Sequence, residues 1–163
     1  MNEIVYTPLA QDIRMLKAEL HHLRLITPLF DAYRMFYQQS SDLYAASKFL
    51  TERLKNHESI IYFATDEQQL TAYGFVQLYK KFSSVGMSKT LILNDLYICE
   101  NHRKNGIGRM LMARAKKHAI DNSFAKIELE TASTNQIAQA LYFSEGYKIQ
   151  PSQFLRLTLD LTK

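Results

Sequence analysis

The sequence predicts an α/β protein with a mixed central β-sheet flanked by helices, and three features carry that prediction. Apolar residues follow a helical spacing through the first part of the chain, whereas β-branched and aromatic runs begin at Ser59. A polar turn separates two of these runs, as in an antiparallel hairpin. Further on, a strand, a glycine-containing turn, a helix and another strand follow in order, which requires a parallel strand pair. A hairpin and a parallel pair together make the sheet mixed.

The size and composition of the chain indicate one domain, residues 1–163. Of the 163 residues, 47% are hydrophobic and 22% are charged, as is ordinary for a soluble globular protein. No repeat, low-complexity segment or Gly/Pro-rich linker divides the sequence. The net charge of +4 is mild and the basic residues are scattered, so we do not expect a nucleic-acid partner.

The expected location is cytoplasmic, without a membrane or metal partner. The single Cys99 excludes an internal disulfide, and without an obvious His partner we interpret it as structural. Residues 1–10 lack the pattern of a secretory signal, and no window has the roughly 18–20 apolar residues of a membrane helix. The adjacent His21 and His22 point to different sides of a helix, which suits a metal ion poorly.

The first part of the chain is predicted to contain a short strand and three helices. Glu3–Thr7 has the composition of a strand. Gln11–Gln38 has helical spacing, which Pro28 should break into two helices. Ser41 is the expected N-cap of a third helix, which continues through Leu54.

The second part is predicted to alternate strands and helices. Its most apolar strand, Thr90–Cys99, is expected to lie at the centre of the sheet. In chain order the predicted elements are the strands Ser59–Ala64, Leu70–Tyr79 and Thr90–Cys99, the helix Gly106–Ala119, the strand Lys126–Thr131, the helix Asn135–Glu145 and the strand Phe154–Leu161.

The turn before the helix Gly106–Ala119 has the features of an anion site. Glycine at positions 106 and 108 permits a positive φ and lets a ligand approach the backbone. The first N–H groups of a helix lack internal partners and lie at the positive end of its dipole. Arg103, Lys104 and Arg109 add positive charge, so a diphosphate is the expected guest. A structural turn with solvated charges is the alternative.

Two other phosphate-binding motifs fit this turn less well. The dinucleotide-binding fingerprint needs a third small residue where Leu111 stands, and its glycines follow the strand directly, whereas Glu100–Asn105 intervene here. A P-loop needs Gly-Lys-Ser/Thr, but Arg109 and Met110 follow Gly108.

Three motifs in this order resemble the GCN5-related N-acetyltransferase (GNAT) superfamily. They are Asn94–Ile98, Arg103–Gly108 and Asn135–Tyr142, followed by a closing Gly146-Tyr147. The resemblance implies a single acetyltransferase domain whose central strands splay apart at a β-bulge. It also implies acetyl-CoA as cofactor, with the pantetheine arm in the gap between the splayed strands.

The resemblance further assigns residues to the cofactor. The pantetheine would bond the backbone at residues 96–98, the pyrophosphate would bind the N–H groups of residues 104–109, and Asn135 would hold the pantetheine. Tyr142 would lie beside the sulfur. The cofactor-binding residues implied in this way are Leu96, Tyr97, Ile98, Arg103, Lys104, Asn105, Gly106, Ile107, Gly108, Arg109, Asn135 and Tyr142.

Acetyl transfer to an amine needs a neutral amine, a stabilised oxyanion and a proton for the leaving thiolate. Tyr142, with an ordinary pKa of about 10, suits the proton donor, although a packed helix tyrosine is the alternative. The N–H of Ile98 is the expected oxyanion donor. Glu130 has the spacing of the base in bacterial N-terminal acetyltransferases of ribosomal proteins, and Asp95 competes for that role. Either acid could instead be a solvated or ion-paired surface carboxylate.

The acceptor is expected to be a small amine or an amino-acid-like compound. The segment Leu91–Tyr142 is also similar to spermidine/spermine acetyltransferases, although Asn94 replaces an acidic residue of theirs. Tyr33, Asn94 and Tyr79 are the expected acceptor-binding side chains. A protein or peptide N-terminus, or a non-catalytic acyl-CoA sensor, is the alternative function. Homodimers are frequent in the family, so a dimer is a further expectation.

Overall fold

The computed structural model describes residues 12–151, 155 and 157–162. The described residues up to Glu130 form one compact unit, and the described residues from Thr131 form a second. No helix in these ranges is long and apolar enough to cross a membrane. The elements are β1 Arg14–Lys17, α1 Leu23–Phe36, α2 Leu43–Lys55, β2 Ser59–Thr65, β3 Ala72–Ser83, β4 Ser88–Ile98, α3 Ile107–Asp121, β5 Lys126–Glu128 and α4 Gln136–Ser144.

The five strands form one mixed sheet in the order β1-β2-β3-β4-β5. The pairs from β1 to β4 are antiparallel, whereas β5 runs parallel to β4 after the crossover through α3. This confirms the predicted α/β class, the hairpin and the parallel pair. The prediction that Thr90–Cys99 lies at the centre is wrong, because β3 occupies the middle and β4 lies between β3 and β5.

The predicted bulge lies in β4 at Asn94. Gln77 is opposite Asp95, but the next residue of β3, Leu78, is opposite Leu93. Asn94 is therefore the extra residue of the bulged strand. The bulge changes the direction of β4 immediately before its last four residues.

The two faces of the sheet pack against different helices. Phe63 and Phe75 belong to a core cluster with α1 and α2 that includes Ile26, Leu29 and Leu50. Because successive strand residues alternate between faces, Tyr62 points the other way, where its hydroxyl lies 2.9 Å from Nδ1 of His118 on α3. The side chains of β3 and β4 that share the face of Phe75 therefore lie on the α1/α2 side.

The N-terminal helix prediction is wrong in two places. Arg14–Lys17 is a strand paired with β2. It was predicted as helix because the spacing of apolar residues over four positions cannot distinguish a helix from a strand. Pro28 lies inside an uninterrupted α1 rather than between two helices. Burial of Ile26 and Leu29 against the sheet offsets the backbone hydrogen bond that proline cannot make. The predicted strand Glu3–Thr7 lies outside the described residues.

The start of α2 also differs from its prediction by one residue. Asp42, not Ser41, is the N-cap, and its side chain accepts a hydrogen bond from the N–H of Ala45 at 2.9 Å. Ser41 instead donates its hydroxyl to buried Asp31 of α1 at 2.6 Å. Hydrogen bonds from the Asp42 amide and then from Ser41 hold the pKa of Asp31 below its usual value. The carboxylate thus ties the two helices together.

The C-terminal prediction is only partly correct. Helix α4 lies where it was expected, and β5 ends at Glu128 instead of Thr131. Leu155 and residues 157–161, the described part of the predicted strand Phe154–Leu161, form no strand. Alternation of leucines indicates one apolar face, but a strand also needs a neighbour for its backbone hydrogen bonds, and the pattern cannot supply one.

Candidate cofactor and acceptor site

Helix α3 begins without a side-chain cap. Its N-cap, Gly106, adopts a left-handed conformation with φ of 78°, and no side chain hydrogen-bonds to the cap. The first helical hydrogen bond runs from the N–H of Met110 to the carbonyl of Gly106 at 3.0 Å. The N–H groups of residues 107–109 precede it and therefore have no partner within the helix. Of the two glycines, only Gly106 has a positive φ, because Gly108 is helical.

The positive charge around this turn is arranged differently from the sequence prediction. Lys104 also adopts a left-handed conformation, with φ of 64°, and it is exposed, as is Arg109. Arg103 donates from Nε to the carbonyl of Ile98 at 3.1 Å, and its guanidinium lies 5.8 Å from the ring centre of Tyr97. Arg103 therefore braces the end of β4, and Lys104 and Arg109 are the cations beside the amides of the turn.

The end of β4 presents backbone groups on its β5 side. The N–H of Cys99 bonds the carbonyl of Tyr73 at 2.9 Å, which fixes the alternation of hydrogen bonds along the pair. Tyr97 therefore directs its N–H and carbonyl to β3, whereas Leu96 and Ile98 direct theirs away from it. Within the described chain, β5 pairs with β4 only at residues 90–92. Beyond the bulge, the two strands no longer pair.

Gly74 is a part of this site that sequence reasoning missed. A Cβ at Gly74 would lie 2.6 Å from both the carbonyl oxygen of Tyr97 and Cδ1 of Ile98. Only glycine permits so close an approach, so it fixes the end of β4 against β3. The signal was a glycine inside a β-branched and aromatic run.

Asp95 is a buried carboxylate immediately after the bulge, with 5% of its surface exposed. Its oxygens accept from Nε2 of Gln77 at 2.7 Å and from Nδ2 of Asn94 at 3.0 Å. No ion pair to Asp95 occurs among the described residues. Burial, and then the charge of Asp95, raises the pKa of Tyr79 to about 12, so that phenol stays protonated. Asn94 and Tyr79 were predicted for the acceptor site, whereas Gln77 was not.

Aromatic side chains of α1 lie beside the last residues of β4. Tyr33 contacts Phe75 edge-on, with ring centres 6.0 Å apart, and its ring centre is 6.3 Å from that of Tyr97. Tyr37 lies next to Tyr33, and the exposed Phe36 lies 5.9 Å from the Arg103 guanidinium. Of these rings, Tyr33 is the one predicted to bind the acceptor, and that role stays a prediction.

Cys99 fits the structural interpretation made from the sequence. Burial raises the pKa of its thiol, which disfavours the nucleophilic thiolate. Its Sγ lies 3.9 Å from the carbonyl oxygen of Ala72.

The two glutamates after β4 differ in their surroundings. Glu128 accepts from Lys81 at 3.1 Å, and hydrogen bonds from Lys126 and then Lys81 hold its pKa below the usual value. Glu130, the predicted base, is exposed just beyond β5. Asp95 and Glu130 therefore stay the two candidates, one buried and one exposed.

The second unit carries Asn135 and Tyr142 on α4. The side-chain oxygen of Asn135 caps the helix by accepting from the N–H of Ala138 at 3.2 Å, so its amide nitrogen is the group left to donate. Tyr142 is 9% exposed, and its ring centre is 6.0 Å from that of Tyr147. Seven residues separate Asn135 from Tyr142, which places both on one stripe of the helix.

The bulged strand β4 leads to a helix whose N-terminus has no side-chain cap, an arrangement that suits an anionic group. The profile of the Acetyltransferase (GNAT) family matches residues 25–147, and the chain belongs to that family. It is 44% identical over 123 residues to the uncharacterised N-acetyltransferase YhfO of Bacillus subtilis strain 168, covering 76% of this chain and 81% of that protein. A probable acetyltransferase of Haemophilus influenzae is 30% identical over 88% of this chain and 95% of its own length. The crystal structure of a probable acetyltransferase has a TM-score of 0.84 at 35% identity, covering 92% of this chain and 99% of that one.

The protein is thus an acetyltransferase that uses acetyl-CoA. The cofactor supplies the acetyl group as an activated thioester. The chain fits it, because the amides of residues 107–109 are uncapped beside Lys104 and Arg109, and because Leu96 and Ile98 direct backbone groups away from β3.

Proposed function

We propose that the protein acetylates a primary amine, and that its acceptor is a small amine or an amino-acid-like compound. The main support for the proposal is that the carboxyl group of Asp95 is buried without an ion pair among the described residues. Burying a carboxylate without a cation is costly, and Asp95 has only two neutral amide donors around it among the described residues. An amine that enters as an ammonium ion supplies the missing positive charge.

The acceptor then loses a proton before it can attack. Asp95 is our first candidate to take that proton, because it is the acid at the bulge, and the exposed Glu130 is the second, directly or through water. The aromatic rings of Tyr33 and Tyr79 offer apolar contacts to the carbon chain of the amine. Asn94, which lies on the bulge, offers a side-chain amide nearby.

The cofactor roles in our proposal are those that the resemblance to the family implies for each residue. Leu96 and Ile98 bond the pantetheine arm through the backbone, and the N–H of Ile98 polarises the acetyl carbonyl. The amides of residues 107–109 bind the pyrophosphate. On α4, the side-chain nitrogen of Asn135 holds the pantetheine, and the hydroxyl of Tyr142 protonates the leaving thiolate. Turnover takes place within a ternary complex.

Release of free thiol from acetyl-CoA tests the acceptor class. We would offer polyamines, amino acids and peptides with free N-termini at equal concentrations, and we expect kcat/KM to be highest with a small amine. Highest activity with peptides would replace the small acceptor by a protein N-terminus. Binding of acetyl-CoA without thiol release in any mixture would favour a sensor. A dimer and a cytoplasmic location stay predictions.

Tyr142→Phe tests the proton donor. We expect kcat to fall about 10- to 100-fold, in line with the usual contribution of a positioned acid, while the Kd of acetyl-CoA changes less than threefold. Stopped-flow thiol release and calorimetry measure the two quantities. Unchanged kcat with several good acceptors would remove Tyr142 from the mechanism.

A further inference from the structure

Gln77 is buried in a way that its contribution to stability does not explain. Only 1% of its surface is exposed, and it lies in β3 between Val76 and Leu78, which are fully buried. Its Nε2 donates to Oδ2 of Asp95 at 2.7 Å, but its Oε1 is buried without a hydrogen-bond partner among the described residues. A buried carbonyl without a hydrogen-bond partner destabilises the folded protein. An apolar residue of the same volume avoids that cost.

The orientation of the Gln77 amide is fixed by its partner. An ionised carboxylate only accepts hydrogen bonds, so the nitrogen of Gln77 must face Asp95 and the oxygen must face away. Turning the amide over would satisfy neither group. The orphaned oxygen is therefore the consequence of supplying a donor to Asp95.

We infer that Gln77 is a positioning residue for the acceptor amine, acting through Asp95. Its amide donates to the Asp95 carboxyl group and holds it at the bulge, where it is placed to bind the ammonium group and to take its proton. This inference rests on the proposed function, because it assigns Asp95 to the acceptor. The strand register that places Gln77 opposite Asp95 makes the arrangement rigid.

The other groups near Asp95 cannot replace this donor. Asn94 supplies the second hydrogen bond but is exposed on the bulge. Tyr79 stays a protonated phenol, and Arg53 and Glu58, which act on Tyr79 from the end of α2, are paired with each other. Elsewhere, Asp31 pairs with Arg34 on α1, and Arg103 donates to the carbonyl of Ile98.

The test replaces Gln77 by methionine, which keeps the volume and removes the donor. We expect kcat/KM for the amine to fall about 10- to 100-fold, because a hydrogen bond to a charged group is worth about 1.5–3 kcal/mol. The acid limb of the pH profile should move upward by about one unit, because the donor favours the ionised carboxylate. The Kd of acetyl-CoA should change less than twofold. Thr90→Val, at a buried polar residue of β4 away from the bulge, is the matched control and should leave the pH profile unmoved.

A double-mutant cycle distinguishes positioning from a structural role. In an Asp95→Asn background, Gln77→Met should have no further effect on kcat/KM. Additive losses, or a pH profile that does not move in the single variant, would overturn the inference.

A second readout does not depend on turnover. The carboxyl carbon of Asp95, followed by NMR in the protein without acceptor, should titrate at higher pH in Gln77→Met than in the wild type. If the wild type acetylates no amine but this titration moves, the proposed acceptor class fails while the control of Asp95 by Gln77 stands. If the wild type is active and the titration does not move, the positioning role alone is refuted.

Discussion

Helices α2 and α3 both begin with N–H groups that have no partner within the helix, but only α2 has a side-chain cap for them. At the start of α2, the Asp42 side chain accepts from the N–H of Ala45, and buried Asp31 accepts from the N–H of Asp42 at 2.9 Å. At the start of α3, Gly106 has no side chain to offer, and no acidic residue lies in the first turn. One helix neutralises its own positive end, whereas the other leaves it open between Lys104 and Arg109.

The difference is that a side chain stabilises the first turn of α2, whereas the first turn of α3 has no side-chain cap. A glycine at the N-cap in place of a capping side chain typically costs a few tenths of a kcal/mol, so α3 is slightly less stable than a capped helix would be. The N–H groups of residues 107–109 have no partner within the helix and remain available for an anion. Substitutions at the starts of α3, α4 and α2 test this difference. We expect their effects on acetyl-CoA affinity to decrease in the order Gly108→Glu, Gly106→Ala, Asn135→Asp and Asp42→Ala.

Gly108→Glu should have the largest effect. The new carboxylate lies in the first turn of α3, where it competes with the pyrophosphate for the same amides, so we expect Kd to rise by roughly 100-fold or more. Folding should survive, because the helix dipole favours a negative charge at this end. Calorimetry measures the affinity, with Gly108→Ala as the uncharged control. Normal affinity in the glutamate variant would refute the phosphate placement.

Gly106→Ala should have a smaller effect on affinity, through the backbone. A Cβ at Gly106 meets nothing within 4 Å, so the cost comes from its φ of 78° and not from a clash. We expect the free energy of unfolding to fall by about 1–2 kcal/mol and Kd to rise about tenfold as the turn relaxes. Gly106→Asn is the control, because asparagine tolerates this conformation better. Equal losses in both variants would mean that the conformation is not the cause.

Asn135→Asp tests whether a helix can be capped and still bind ligand. Aspartate keeps the oxygen that caps α4 but loses the side-chain nitrogen assigned to the pantetheine. We expect thermal unfolding to change little, while Kd rises about fivefold to tenfold, as for one lost hydrogen bond. The comparison with Asn135→Ala, which also loses the cap, separates the two functions. If Asn135→Asp binds as the wild type does, Asn135 only caps the helix.

Asp42→Ala should leave cofactor binding unchanged. Loss of the α2 cap should lower the free energy of unfolding by about 1 kcal/mol, measured by urea denaturation. The Kd of acetyl-CoA should stay within twofold of the wild type. A large loss of affinity would mean that the N-terminus of α2 also affects cofactor binding, and would contradict the view that only the N-terminus of α3 does so.

The strands were predicted correctly where their runs of β-branched and aromatic residues were long, and the prediction failed for the short strand Arg14–Lys17. The runs that became β2, β3 and β4 had enough β-branched and aromatic residues to be recognised. Arg14–Lys17 was mistaken for helix because four residues cannot show a period. Pro28 was expected to break α1, but the apolar face of that helix packs on the sheet, and such tertiary burial is not visible in local sequence.

Single residues of the sequence indicate local backbone features of the candidate site. Gly106 predicts a turn with positive φ before α3, which the structure confirms, whereas the anion site itself stays a prediction. Gln77 and Gly74 were missed, because their importance comes from strand register: one lies opposite Asp95, and the other lies opposite Ile98. Arg103 was assigned to the phosphates from its sequence position, whereas its side chain turns to the carbonyl of Ile98.

The most direct test of the central claim is an amide NMR titration with coenzyme A. We expect the N–H signals of Ile107, Gly108 and Arg109 to shift downfield as these uncapped amides donate to phosphate oxygens of coenzyme A. The amides of residues 43–45 at the capped start of α2 should not move. Coenzyme A that binds while the signals of residues 107–109 stay in place would contradict the account.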